Sequence, residues 1–381
     1  MTALFVAAAL LLVHAYIGYP LSLLLLALFR PASGPAGPGR PEETPLPTVT
    51  LLVSAYNEER CLGAKLENCA AIDYPRDRLR TIVVSDGSSD ATEAIARAWA
   101  GRGVELIALP GRRGKVACLN EVVPTLASDL VVMSDANSMY EPDALRRLVA
   151  HFGSEEIGCV CGQLAYTNPR RQAAGEGERI YWGYEGLIKR LESRLGSLLG
   201  ANGAIYAYRR SLFRQVDPLT FCDDVIPIRV AMARYRVIYD SGARCTEETA
   251  PEEVELRRRR RHASFGMRSM RLVMREAVAA GRWLLVYQCL SHRVLRWLGG
   301  VALLLMAAVT PWLPAPWRLP ALGVQGGFYA LAATGWALDR LGLRFRPAYL
   351  AYYVLAIHAA GLTGLWRLLS GTDAPHWEPR Q

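Results

Sequence analysis

Among its eight cysteines the chain has no Cys-x-x-Cys pair. Cys159 and Cys161 stand two apart, but no second pair matches them and strand alternation aims both at one face, so the cysteines read as reduced packing residues rather than metal ligands. No strand-like run is followed by G-x-G-x-x-G, and no Walker sequence occurs, which sets aside dinucleotide binding and P-loop phosphoryl transfer. No basic residue precedes the first apolar run and no clear small-residue cleavage site follows it, which argues against a signal peptide.

What is present in excess is apolar sequence, and it gathers at the ends. The chain has 381 residues, 51% of them hydrophobic, enough for one large or two ordinary domains. Residues 3–29 are apolar apart from His14 and small polar groups; at about 1.5 Å per helical residue this run exceeds the roughly 30 Å hydrocarbon core of a bilayer. Further apolar segments cover 294–313, 319–338 and 349–369. The basic loop between the last two, with Arg30 and Arg40 after the first run, belongs on the cytoplasmic side under the positive-inside rule. One amino-terminal and about three carboxy-terminal spans satisfy both constraints, and they leave the hydrophilic middle in the cytoplasm of an integral inner or plasma membrane protein. The net charge of +9 does not point to nucleic acid, because much of the surplus lies at 257–261 and near the predicted membrane ends, where a lipid bilayer with an anionic surface is the fitting partner.

Between the ends, short β-branched runs alternate with helical segments. Strands are expected at 48–54, 79–85, 104–109, 130–133 and 157–166, with helices near 58–68, 90–101, 175–199 and 225–235. Residues 236–240 form an edge-strand candidate. This βαβ alternation predicts an α/β domain with a mainly parallel sheet covered on both faces. The organisation that follows is a spanning helix (1–30), a Pro- and Gly-rich linker (31–47), the α/β domain (48–250), a basic interfacial helix region (251–293), carboxy-terminal spans (294–370) and a tail (371–381).

Acidic groups stand where strands end. Ser85-Asp86-Gly87-Ser88-Ser89-Asp90 follows one apolar run and Ser134-Asp135-Ala136-Asn137 another, and the carboxyl ends of parallel strands are where open α/β sheets bind ligands. Oxygen donors on Asp135 and Asn137, two residues apart, can share one hard cation, Mg²⁺ or Mn²⁺, and such a cation would neutralise a diphosphate.

Tyr56-Asn57-Glu58-Glu59, the SDGSSD segment, Gly114-Lys115-Val116-Ala117-Cys118-Leu119-Asn120, Asp135-Ala136-Asn137 and Cys222-Asp223-Asp224 occur in this order. Over residues 45–265 the chain thereby resembles the family 2 glycosyltransferases, inverting nucleotide-sugar-dependent enzymes of GT-A fold that include synthases of hyaluronan, cellulose and poly-N-acetylglucosamine. The resemblance implies that Tyr56, Glu58 and Asp86 contact the uridine of a UDP-sugar, that Lys115 balances phosphate charge, and that Asp135 with Asn137 holds the metal. It implies that Asp224 is the base for the acceptor hydroxyl with Asp223 beside it. The segment containing Gly200, Asn202 and Gly203 corresponds to the acceptor side, where small residues permit close approach of a sugar. Asn137 replaces the usual second carboxylate, which weakens the metal site.

The largest departure is at 257–262, RRRRRH, where processive relatives carry Q-x-x-R-W. Arg261 keeps the basic diphosphate contact of that motif, Arg258 replaces Gln, and His262 replaces the Trp that stacks on the acceptor sugar. Loss of that aromatic face favours single transfer over processive synthesis. The expectation is a membrane-bound hexosyltransferase that forms a β-linkage on a glycan or lipid-linked acceptor. The alternatives are a processive, secreting synthase and a non-catalytic nucleotide-binding relic.

Overall fold

The β-branched runs of the middle of the chain form one eight-stranded sheet of order β3-β2-β1-β4-β7-β6-β8-β5. The structure, a computed structural model, describes residues 1–29, 45–167, 172–248, 252–343 and 345–370, with the side chains of 172–182, 252–264 and 368 outside that description. β1 (Val49–Ala55), β2 (Leu79–Asp86), β3 (Val104–Leu109) and β4 (Leu130–Asp135) are mutually parallel. Every residue of β1 is buried, the mark of a strand covered on both faces. Leu52 joins the core on one side of the sheet, and Val49, Leu51 and Val53 join the core on the other.

Beyond β4 the sheet departs from the expected pattern. β7 (Tyr206–Arg209) enters its middle antiparallel to both β4 and β6 (Ile157–Tyr166). A strand of this length carries too little alternation to announce itself in sequence. The segment expected to be an edge strand is β8 (Arg236–Glu247), which runs on to Glu247 and lies inside the edge, between β6 and the two-residue β5 (Met139–Tyr140). Cys159 and Cys161 are both fully buried on β6 in the same core, as the alternation predicts, and all eight cysteines are free.

Register decides the site. Ala55 pairs with Ser85, and Ser54 with Asp135, so Tyr56, Asp86 and Asp135 emerge side by side from three adjacent strands, each about 4.8 Å from the next. Gly87, at φ +68°, is held so close to Gly111 that a Cβ there would stand 2.7 Å from its carbonyl oxygen. The SDG turn is thereby pressed onto the loop that precedes Lys115.

Among the described residues three helices are long and apolar enough to cross a membrane: Thr2–Phe29, Trp283–Trp312 and Arg346–Arg367. The segment expected to span at 319–338 lies in the helix Ala315–Arg340; Gly323, Gln325, Gly326 and Gly327 dilute its apolar character. The basic helix Glu252–Ala279 is not purely interfacial: Met267, Met270 and Val273 are buried, while Val278 is exposed. Met270 and Val273 join the domain core together with Leu285 and Cys289 of the following helix.

The Thr2–Phe29 helix is bound to the α/β domain as well. Tyr19, Leu23 and Ala27 pack on Ile188, Leu191 and Leu195 of, or just beyond, the helix Gln172–Arg194. The Tyr19 hydroxyl donates to Glu192 Oε1 at 2.5 Å. His292, near the start of the second candidate span, places its two ring nitrogens 2.7 Å from Glu192 and 3.3 Å from Glu185, and Arg296 donates to Glu185. Charged groups this deep are tolerated because they are paired and hydrogen-bonded.

Candidate active site

Asp86 closes β2 with its carboxylate turned onto the loop before Lys115. Its two oxygens accept from the backbone N–H groups of Arg113 and Gly114, each at 2.8 Å, and from the Cys118 thiol at 3.2 Å. Asp86 therefore shapes the loop that presents Lys115. Tyr56 follows β1, and over its ring, 4.5 Å from the centroid, lies the guanidinium of Arg112. Nε and Nη2 of Arg112 are buried without a hydrogen-bond partner, two donors held against the residue expected to contact the nucleoside. Glu58 is buried, stands at the N-cap position of the helix Glu59–Ala70 without a side-chain capping bond, and accepts from the Cys61 thiol at 3.1 Å.

Lys115 Nζ lies 2.7 Å from Asp135 Oδ1, with both side chains largely enclosed. Burial works against the ammonium charge, but Asp135 and then Asp223 outweigh it and hold the lysine above its ordinary range. Asn137 occupies the turn after β4. Behind this turn lies Lys65, fully buried: its ammonium donates to the Ser138 carbonyl and sits 4.3 Å above the ring of Tyr140. Burial pushes its pKa down. Ser138 in turn donates to Glu247 Oε1 at 2.5 Å. The Asp135–Asn137 turn is thus braced from behind by a buried polar network.

As a metal site the turn is sparse. Among the described residues no group of three or more His, Cys, Asp or Glu is placed to hold a metal ion. One carboxylate and one amide suit a hard cation that completes its shell with substrate phosphates and water, the usual habit of Mg²⁺.

The acidic pair opens the helix Cys222–Met232. Asp224 is approached by Arg293 Nη2 at 3.3 Å. Burial lifts the Asp224 carboxyl above the ordinary aspartate range; Arg293 counteracts this and Asp223 reinforces it. Gly200 and Gly203 pack onto this pair. A Cβ on Gly203 would stand 2.3 Å from Asp223 Oδ2, and one on Gly200 would stand 2.9 Å from Asp224 Oδ1 and 2.6 Å from Arg293 Nη2. Their smallness therefore makes room for the pair itself. Asn202 has both ends of its amide engaged, accepting from Lys189 and donating to the Gly162 carbonyl, each at 2.5 Å; it fixes the loop.

The structure thus gathers Asp86, Lys115 and Asp135, places Asp223 near enough to act on the Lys115 charge, and links Asp224 to a candidate membrane helix through Arg293. Arg261 and His262 fall within the helix Glu252–Ala279, and their side chains lie outside the described residues. Sequence reasoning missed Arg112, Lys65 and Arg293. Arg112 and Arg293 had a signal: an arginine two residues before Gly114, and charges interrupting an apolar stretch. Lys65 had none, being one lysine on an amphipathic helix.

Residues 47–266, more than half of the chain, match the family model described as glycosyltransferase like family 2. The chain is 34% identical over 157 residues to a beta-monoglucosyldiacylglycerol synthase of Synechocystis, covering 39% of this chain and 32% of that protein. It is 33% identical over 194 residues to an N-acetylglucosaminyltransferase of Rhizobium meliloti, covering 48% of this chain and 44% of that one. A poly-beta-1,6-N-acetyl-D-glucosamine synthase of Staphylococcus aureus is 26% identical over 204 residues, with 52% and 49% covered. The chain thus spans about a third to a half of the length of these relatives. Among solved structures, the mannosyltransferase PcManGT from Pyrobaculum calidifontis, in complex with GDP-Man and Mn²⁺, superposes with a TM-score of 0.72 at 24% identity over 97% of this chain and 100% of that one. This likeness supports the GT-A-like fold.

Proposed function

The chain belongs to glycosyltransferase family 2, and from that premise we propose that it is a membrane-bound inverting enzyme. It would transfer a hexose or N-acetylhexosamine from a UDP-sugar to a glycan or lipid-linked acceptor, forming a β-linkage. One observation carries the reading: Lys115, paired with Asp135 at a strand end, also feels the charge of Asp223 in the acidic pair that opens the helix Cys222–Met232. A donor diphosphate at the strand ends would thereby have its sugar beside Asp224.

In this reading residues 48–250 are the catalytic unit, facing the cytoplasm, and the apolar helices hold it at the inner or plasma membrane. Tyr56 and Arg112 flank the nucleoside, with Glu58 and Asp86 shaping the walls of its pocket. Asp135 and Asn137 would hold Mg²⁺ or Mn²⁺, and when bound the cation would supply Lewis-acid neutralisation of the leaving diphosphate. Lys115 and Arg261 add positive charge to the same group. Asp224 takes the proton of the acceptor hydroxyl as its oxygen bonds to the anomeric carbon and the bond to the diphosphate breaks, so one displacement releases UDP and inverts the centre. A carboxylate raised by burial beside a second carboxylate is a better base than one in water, and Asp223 supplies that neighbour. Arg293 holds Asp224 in place.

The glycolipid and polysaccharide synthases among the relatives support both acceptor classes. The test is a screen of detergent-purified protein against UDP-sugars and GDP-mannose, reading nucleotide release with Mn²⁺, with Mg²⁺ and with chelator. Release from a GDP donor alone would replace UDP in this proposal, and release from none would remove the enzymatic reading.

A further inference from the structure

Glu192 is buried at the seam between the α/β domain and the candidate spans. It lies on the helix Gln172–Arg194, and three donors converge on its carboxylate. Oε1 accepts from the Tyr19 hydroxyl at 2.5 Å and stands 2.7 Å from His292 Nδ1; Oε2 accepts from the Leu199 backbone N–H at 3.1 Å. Burial opposes the charge on this carboxyl, but His292, Tyr19 and Leu199 outweigh it and hold it below the ordinary glutamate range. An ionised carboxylate suits such a set, because it offers acceptors only.

Two of these partners are each followed in the chain by a residue that meets Asp224. Gly200 follows Leu199, and its backbone packs so closely on Asp224 Oδ1 and Arg293 Nη2 that a Cβ would collide with both. Arg293 follows His292 and approaches Asp224 Oδ1 at 3.3 Å. His292 and Arg293 lie in the segment Cys289–Val294, wound as a π-helix, an uncommon winding that recurs at functional sites. The third partner, Tyr19, belongs to the Thr2–Phe29 candidate span.

We propose that Glu192 is a positioning residue for the transfer step, fixing the Gly200 backbone and Arg293 against Asp224; this rests on the reading of Asp224 as the base. Glu192 acts through these two neighbours, and through Tyr19 the docking of the first span is felt at Asp224. An amide could not do the same: Glu192→Gln would turn an N–H₂ group toward a donor and leave the Leu199 N–H or the pair at Oε1 unmatched.

The test uses the full chain in detergent and begins with hydrogen exchange, which does not depend on activity. In Glu192→Gln the amides of 199–203 and 222–226 should exchange about tenfold faster than in wild type, the worth of one hydrogen bond to a charged acceptor. Those of 113–122 should stay unchanged. Turnover follows, with the donor found in the nucleotide-release screen. Glu192→Gln should lower kcat about ten- to a hundredfold, as expected for a base displaced by up to about 1 Å, with the Kd for the released nucleotide within about threefold of wild type. In an Asp224→Asn background the same change should cost less than about threefold, since no base is left to position. His292→Asn, whose amide can stand where Nδ1 stood, should keep most of the turnover that His292→Leu loses; this pair carries the test if Glu192→Gln does not fold. Tyr184→Phe removes another bond between the same two helices, from the Tyr184 hydroxyl to the Tyr16 carbonyl, and should leave exchange and kcat unchanged. Unchanged exchange at 199–203 overturns the proposal. So does a Glu192→Gln loss equally large in the Asp224→Asn background, a Tyr184→Phe loss as large as that of Glu192→Gln, or His292→Leu turning over as fast as His292→Asn. Faster exchange in a protein that releases no nucleotide from any donor would remove the enzymatic reading alone and leave Glu192 as the tie that fixes Gly200 and Arg293.

Discussion

Gly203→Ala is the sharpest perturbation the proposed active site offers. The added methyl carbon would start 2.3 Å from Asp223 Oδ2. Restoring ordinary contact of about 3.5 Å means a displacement of about 1 Å, and the carboxylate, hydrogen-bonded by the Cys222 thiol at 3.1 Å and anchored in the first turn of its helix, is what must move. Gly200→Ala acts on the proposed base, Asp224: its methyl would enter 2.9 Å from Asp224 Oδ1 and 2.6 Å from Arg293 Nη2, pushing each back by roughly 0.5 to 1 Å and prising the pair apart. A misplacement of about 1 Å at reacting groups costs on the order of 10²-fold in rate. Both variants should therefore lose about a hundredfold in kcat for UDP release, while the UDP Kd by calorimetry stays within about threefold, since the nucleotide is held at the other strand ends. Gly101→Ala, whose methyl meets nothing within 4 Å, should leave turnover unchanged. If Gly203→Ala and Gly200→Ala both turn over at the wild-type rate in protein that elutes and melts normally, the acidic pair does not have to be where the structure puts it and the catalytic reading fails.

Asp224→Asn should bind UDP nearly normally and turn over about 10²- to 10⁴-fold more slowly, the usual worth of a general base; a larger loss from Asp223→Asn would reverse the two roles. Because the base acts ionised and its pKa is raised, activity should climb as pH rises through that pKa. Asp223→Asn, by removing a like charge, should move the acidic limb of the kcat profile to lower pH, and Arg293→Gln, by removing the opposing cation, should move it higher; limbs that stay put would detach Asp224 from both neighbours. Chelation should stop UDP release, and Asp135→Ala should lose Mn²⁺-dependent UDP binding by calorimetry in protein that still folds, an assignment that full turnover in EDTA would end. Across Arg257 to Arg261, an alanine scan should show one loss of tenfold or more at Arg261, where a charge-assisted contact is worth about 1.5 to 3 kcal/mol, and a flat scan would make the whole run a lipid-facing surface.

Local signals carried much of the architecture. The strands at 104–109 and 157–166 are found with the bounds their apolar alternation implies, and the strand-exit acids fall side by side because parallel register follows from two-faced burial. What stayed hidden depends on contacts distant in sequence. β7 is short and is made a strand by the neighbours on both its sides. Lys65 looks like any helical lysine, and only the fold sets the Ser138 carbonyl above it. Gly200 and Gly203 announce close approach, yet what approaches them, Asp224, Arg293 and Asp223, comes from two other elements. The apolar stripe of the basic helix reads equally well as a face for lipid or for a core, since periodicity reports burial and not the burying partner.

The polar stripe of the first helix bears on the order in which the protein is made. His14 bonds Ser291, the Tyr16 hydroxyl bonds His358, Tyr19 bonds Glu192, and Ser22 bonds the Tyr287 hydroxyl. Tyr16 and His358 are 342 positions apart, so at about 5 to 20 residues per second of synthesis the helix emerges roughly 17 to 70 s before its last partner. Glu192, Tyr287 and Ser291 are made earlier in that interval, and until its own partner appears each polar group of the stripe is satisfied from outside the protein. Assembly therefore ends with the first segment to be made, when the rest of the chain closes back onto it. The leading helix is accordingly less a tether than a keystone, and an unrelated apolar helix of equal length would leave the fold incomplete.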